Sequence, residues 1–407
     1  MSKRARMILI ALAGLALLAI LMLQIPAVGA AVSWRAEKFN LYVKNVINPP
    51  GPVPTALPVT PAAHTPTAAI TKPVASPAAT LPATATSAPM AAQVSLDSPP
   101  WEKQTPNNCG PATLSMAMHM YGWDGDQGVI AEQIKPVLQD RNVNPEEMAY
   151  YVRNFAGWLR TEYRVAGDID LLRRLIAARY PVIIEGTTKL DPNDALGPND
   201  DLWAAHYLLL TGYDDAAQTF HVQDSYHGAD LTVSYAQLET EWKPFNYLYI
   251  LLYLPGEEEE LKSILGADWD ADQNRQRALE IAQADTAADP SDAFAWFNLG
   301  SNLVYFERYD EAALAYDRSR EIGLPLRMFR YQFGPFISYF QSNRNDDLLV
   351  LTDYARGVTE MSEETWLWYG WGLYRKDDFK GARAAWNKAL SIHPGYADAT
   401  YALGFVN

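Results

Sequence analysis

The 407-residue chain contains a single cysteine, Cys109, in the segment EKQTPNNCGPATLSMAMHMYGW. Gln104 stands five positions before it, and Gly110 and Pro111 follow at once, where an amphipathic helix is expected to begin. A thiol at a helix start faces unpaired N–H groups and the positive end of the helix dipole, which favour its anionic, nucleophilic form. A basic, apolar N-terminal segment argues that the chain is exported. A lone thiol in an exported protein has no internal disulfide partner. Two readings of Cys109 therefore stand: a small buried hydrophobe, or a group kept for its reactivity.

A thiol nucleophile needs a base, a group to orient that base, and donors for the oxyanion. There are six histidines. His64 lies in a proline-rich stretch and His393 ends a late helix, so both are remote. His119 is ten residues beyond Cys109 on the same helix, about 15 Å along its axis and out of reach. His206 opens the strand segment HYLLLTGYD, Asp224 ends the next one, TFHVQD, and Asp214-Asp215-Ala216-Ala217 between them reads as a hairpin turn. Pairing across that turn sets the two ends side by side, where the carboxylate can hold the imidazole. Alternation puts Asp224 on one face with Phe220 and Val222 and turns His221 to the other, as a sheet-surface residue. His227, just past the strand, is a rival base. Strand-end hydrogen bonding for His206, turn capping for Asp224 and an ordinary loop role for Gln104 are the plainer alternatives.

The segments QTPNNCGPATL, AHYLLLTGYDD and HVQDSY together resemble the C39-like family of cysteine peptidases, a papain-like fold, over residues 99–255. The order Gln, Cys, His, Asp matches as well. This resemblance implies a thiol protease, with Cys109 as nucleophile and His206 as general base and then acid. It implies Asp224 as the orienting carboxylate and Gln104 as oxyanion donor beside the Cys109 backbone N–H. Acyl transfer to water then needs no cofactor and no metal. One departure stands out: the family often has Asp-Pro where this chain has Asp224-Ser225.

These residues must be positioned by a mixed α/β domain. Apolar periodicity predicts helices over 109–121, 128–138, 145–155 and 168–179, and strands over 181–186, 206–214, 219–224 and 247–254. Beyond the acidic run 257–260 the pattern turns wholly helical. Trp296, Leu299, Gly300, Ala312 and Tyr316 recur as Trp366, Tyr369, Gly370, Ala382 and Trp386, an offset of 70 residues, or two repeats. This resembles tetratricopeptide repeats over 267–407. The middle unit departs from the pattern at Pro335 and Asp346-Asp347.

Residues 7–28 carry no charge and follow Lys3, Arg4 and Arg6, as expected of a signal anchor with the remainder outside the membrane. A cleaved signal peptide is the alternative. Residues 48–92 are Pro, Ala, Thr and Val with Lys72 as the only charge, the composition of an extended, coreless linker. The expected organisation is a transmembrane helix (1–31), a juxtamembrane and disordered linker (32–93), an α+β papain-like domain (94–256) and an all-α repeat solenoid (257–407). A net charge of −15 argues against nucleic acid as partner. The expected partners are a peptide or protein substrate, a protein on the repeats, and the membrane. The acidic loops 190–201 and 268–272 lack the glycine and distal glutamate of an EF-hand. A lid loop and a helix cap are the preferred readings.

Overall fold

The computed structural model describes residues 21–58, 90–140, 142–195, 197 and 200–406, with positions 6, 7, 10, 12 and 14 before them. Strands β1 (Gln93–Ser95), β2 (Arg160–Arg164), β3 (Val182–Lys189), β4 (Trp203–Asp214), β5 (Thr219–Asp224), β6 (Gly228–Ser234) and β7 (Tyr249–Tyr253) form one sheet. Its order is β2-β7-β3-β4-β5-β6, with β1 added to β4, and the pairings are antiparallel. Alternation buries both faces. Ile183, Leu209, Ile250 and Leu252 pack under the helix Cys109–His119, while Val182, Ile184, Leu210 and Leu251 pack with Leu171, Leu175 and Trp242 on the other side. The β4–β5 turn forms as expected, because Asp214 Oδ1 accepts the N–H groups of Ala216 and Ala217.

Three strands escape the sequence pattern. β1 is only three residues long, β2 (RTEYR) is mostly polar, and β6 has an exposed face. β4 also begins earlier than expected, so His206 is its fourth residue rather than its first.

The C-terminal part is a run of antiparallel helix pairs: Ala293–Tyr305 with Tyr309–Ile322, Gly334–Gln341 with Asn345–Val358, and Glu363–Arg375 with Phe379–Ile392. The glycines in this pattern are packing positions. A Cβ on Gly300 would lie 2.7 Å from the Tyr316 ring, and one on Gly370 2.3 Å from Trp386. Only hydrogen fits between each helix and its partner's aromatic.

The expected free linker needs correcting at its start. Residues 49–57 lie extended against the helical region, with Val53 buried in its core. Arg320 donates from Nε to Pro54 O (2.8 Å) and from Nη2 to Thr55 O (3.0 Å), and Asp347 Oδ1 accepts the Leu57 N–H (2.9 Å). Prolines keep the segment out of a helix or sheet ladder that would satisfy its carbonyls, and a buried guanidinium supplies the donors. Asp347, out of place in the repeat pattern, is thus explained by what it holds. It also accepts from Arg344 (2.8 Å). Residues 59–89 lie outside the described residues.

Of the expected membrane segment 7–28, positions 8, 9, 11, 13 and 15–20 are outside the described residues as well. Among those described, no helix is long and apolar enough to cross a membrane. The helix Pro26–Ile47 carries Arg35, Glu37, Lys38 and Lys44. It is fastened to the globular part by Lys38 to Asp194, by Lys44 Nζ to Gly357 O (2.8 Å) and by Gln139 Nε2 to Ser33 Oγ (2.9 Å).

Candidate active site

Cys109 begins the helix Cys109–His119, so its thiol lies at the N-terminal end of a helix that packs on β4, where Thr113 Oγ1 donates to Tyr207 O (3.2 Å). On β4, the His206 ring bonds Asp224 Oδ1 through Nε2 at 2.7 Å, and Cys109 lies close enough for its charge to act on the ring. One ring nitrogen is thereby held. Both members of the His206–Asp224 pair are buried, which strengthens their attraction by excluding water.

Burial alone would push His206 towards its neutral form. The hydrogen bond to Asp224 and the neighbouring Cys109, and then the charges of both, outweigh burial and raise its pKa to about 10. Asp224 shows the converse balance. Burial favours its acid form, but the His206 bond and charge, followed by bonds from His227, hold it below the usual carboxylate range. His227 Nδ1 reaches Asp224 Oδ2 at 2.7 Å, and the Tyr226 and His227 N–H groups donate to Oδ1 (2.8 and 3.0 Å). The rival base therefore holds the carboxylate's second oxygen, and the turn cap and the imidazole clamp are the same residue. His119 bonds Gly125 O at 2.7 Å, away from the sulfur, and His64 is outside the described residues.

Gln104 lies beside the site on an ordered loop. Its N–H donates to Ser225 O (2.9 Å) and its Oε1 accepts from Ser225 Oγ (2.9 Å). That second bond occupies Oε1 and leaves Nε2 as the amide's donor. Ser225, the departure from Asp-Pro, thus has a use that proline could not serve. The loop is held from below by the buried Gln127, whose Oε1 accepts from Thr105 N (2.7 Å) and Asn108 Nδ2 (2.9 Å). Gln104→Ala is expected to lower turnover by about 10²–10³-fold, the usual cost of one oxyanion donor. Ser225→Ala should cost about tenfold in kcat with KM little changed, since it loosens the donor without removing it. Steady-state kinetics on both variants checks the ranking.

Sequence reasoning missed Ser225, Gln127 and Glu185. Ser225 was legible as a hydroxyl adjoining Asp224. Gln127 follows no motif. Glu185 pairs with Tyr207 across β3 and β4 and is buried close to the thiol. Burial, then the nearby Cys109 charge, keep its carboxyl well above the usual range.

A cavity of about 850 Å³ opens over these groups. Cys109, His206 and Gln104 line it from the mixed domain, Arg327 and Arg330 from the helical region, and Tyr42 from the N-terminal helix. The acidic loop expected as a lid contributes Asp191, Asp194 and Asp200 where it is described. In the second acidic loop, Asp270 caps the helix Ala271–Ala288 through Gln273 N, in line with the preferred helix-cap reading.

None of the curated proteins matches the chain. Among solved structures, a C39-like peptidase from Bacillus anthracis is 17% identical, with 40% of this chain and 97% of that one covered at a TM-score of 0.31. The peptidase domain of Streptococcus ComA, a bifunctional ABC transporter involved in quorum sensing, is also 17% identical, covering 39% and 99% at a TM-score of 0.30. YrrB, a TPR protein with a peptide-binding site, is 21% identical, covering 36% and 71% at 0.30. The model of the Peptidase_C39 like family matches residues 89–250, so that part of the chain is a mixed α/β C39-like domain, and an all-helical region follows it.

Proposed function

We propose that the chain is an exported, membrane-anchored cysteine peptidase acting on a peptide or protein substrate. On this reading its helical region is a tetratricopeptide-type repeat array that recruits a protein partner or the substrate. One observation carries the reading: the His206 ring, held by Asp224 at 2.7 Å, lines the same cavity as Cys109 and Gln104. The Cys109 thiolate attacks the scissile carbonyl carbon, and the carbonyl electron pair moves to oxygen, facing Gln104 Nε2 and the Cys109 N–H. Collapse breaks the C–N bond as imidazolium protonates the leaving amine. Water then attacks the thioester, giving a proton to His206, and the C–S bond breaks to restore the thiolate.

A non-catalytic scaffold is the second reading, favoured by the chain's own Trp34, Leu41 and Tyr42 lining the cleft. Iodoacetamide separates the two. On the peptidase reading, Cys109 is alkylated at pH 6 at least about tenfold faster in wild type than in His206→Ala, because the thiolate is the nucleophile. Equal rates would leave the scaffold. Amine added during turnover would be incorporated into product only if the acyl-enzyme also transfers to amines.

A further inference from the structure

A second cluster lies where the mixed domain meets the helical region. Asp140 comes from the loop after the helix Gln127–Ile134, Glu363 opens the helix Glu363–Arg375, and His393 caps the end of Phe379–Ile392. One ligand-type atom from each lies within 4.8 Å of the other two. Asp140 and Glu363 are each only 1% exposed. Asp140 Oδ1 accepts the Asn142 N–H (3.1 Å) and Glu363 Oε1 meets His393 Nδ1 (3.0 Å). The remaining oxygens, Asp140 Oδ2 and Glu363 Oε2, are buried and have no hydrogen-bond partner among the described residues.

Orphaned carboxylate oxygens are costly to bury. Here the surroundings add to the negative charge. Glu147 and Glu364 pack beside them, but their oxygens are supplied by Asn144 N (2.7 Å), Asn144 Nδ2 (3.0 Å) and Ser362 Oγ (3.2 Å). Lys135 is a nearby positive charge, with Nζ donating to Leu138 O at 3.3 Å. Glu147 and Glu364 are thus hydrogen-bonded, while Asp140 and Glu363 each keep one buried oxygen without a partner among the described residues.

We propose that Asp140, Glu363 and His393 bind a divalent transition-metal cation of the zinc class, which clamps the C39-like domain to the helical region. Two carboxylates and one imidazole are a ligand set for zinc or manganese, whereas calcium and magnesium take oxygen ligands. The ion gives the two orphan oxygens their missing partner. It also braces the loop behind the thiol, since Leu138 O accepts from Asn107 Nδ2 (3.3 Å), two residues before Cys109. This proposal does not depend on the chain being a peptidase.

The test uses the full-length chain in detergent, in a Cys109→Ala background so that the thiol cannot bind metal. Dialysis against Zn²⁺ with metal analysis is expected to give one ion per chain, with a rise in Tm. Asp140→Asn and His393→Gln, each checked for native circular dichroism, should weaken binding by at least about 10–100-fold. Co²⁺ substitution should give visible d–d bands that each variant alters. The proposal is overturned by the absence of stoichiometric binding, which would mean that the two acids share a proton. Unchanged affinity in both variants overturns it too, since the ion would then sit on His206, Asp224 and His227. Equal affinity for Ca²⁺ overturns the metal class.

Discussion

Cys109→Ala and His206→Ala are each expected to reduce peptide hydrolysis to background, a fall of roughly six orders of magnitude where nucleophile and base act as one unit. The double variant should be no worse than either single one, because losing one partner already removes the shared step. A cleavage profile of wild type against Cys109→Ala supplies the peptide on which to measure this. The pH dependence follows from the balance at His206. Its proton is held up to about 10 against an ordinary value of 6.5, so kcat/KM should fall on the alkaline side with an apparent pKa near 10. Asp224→Asn keeps a hydrogen-bonding group but removes the charge, and should draw that limb down towards 6.5. Stability follows the same signs. The His206 contribution is fully present below about 6.5 and is lost as pH rises through about 10. The Asp224 contribution is present above its ordinary value of 3.8 and is lost as pH falls through its depressed one. An alkaline limb unmoved in Asp224→Asn would mean that the carboxylate does not hold the proton.

The chemistry was legible because it sits on patterned elements. Cys109 at a helix start, His206 on an apolar strand and Asp224 at the end of its hairpin neighbour are each fixed by periodicity and one turn, and the structure brings all three together. What supports them was not legible. Ser225 and Gln127 act through hydrogen bonds to a loop 121 and 19 to 25 residues away, and nothing local in the sequence encodes that distance. The docked segment 49–57 misled for a different reason. Composition reports that a Pro/Ala/Val stretch cannot build a core of its own, but not that Val53 can enter another's. Asp347, one of its partners, looked like a fault in a helical repeat until its bond to the segment was seen. Likewise His393, set aside as remote, is remote only from Cys109, and it meets Asp140 across the domain junction.

The helical region also reaches the cleft directly, and Arg327→Ala should expose that dependence. The Arg327 guanidinium donates to the Asp200 carboxylate and to Trp203 O, with both charged side chains about 3% exposed. Leu326 N adds a bond to Asp201 Oδ2 at 2.9 Å. Trp203 begins β4 three residues before His206, and stacks on Phe245 with ring centroids 6.0 Å apart. The guanidinium therefore pins the end of the acidic loop to the strand that carries the imidazole. Truncating it strands a buried carboxylate, a change that typically costs about 3–5 kcal/mol. At roughly 2–4 °C per kcal/mol this is a fall in Tm on the order of 10 °C. Arg327→Lys should recover only part of it, because an ammonium cannot make the forked contact to Asp200 and Trp203 together. Arg327→Ala with Asp200→Asn should be more stable than Arg327→Ala alone, since the stranded charge is gone. Limited proteolysis should then cut within 190–201 sooner in Arg327→Ala than in wild type. Unchanged Tm and unchanged cutting would mean that the loop is held by the mixed domain alone, and that the helical region merely adjoins the cleft.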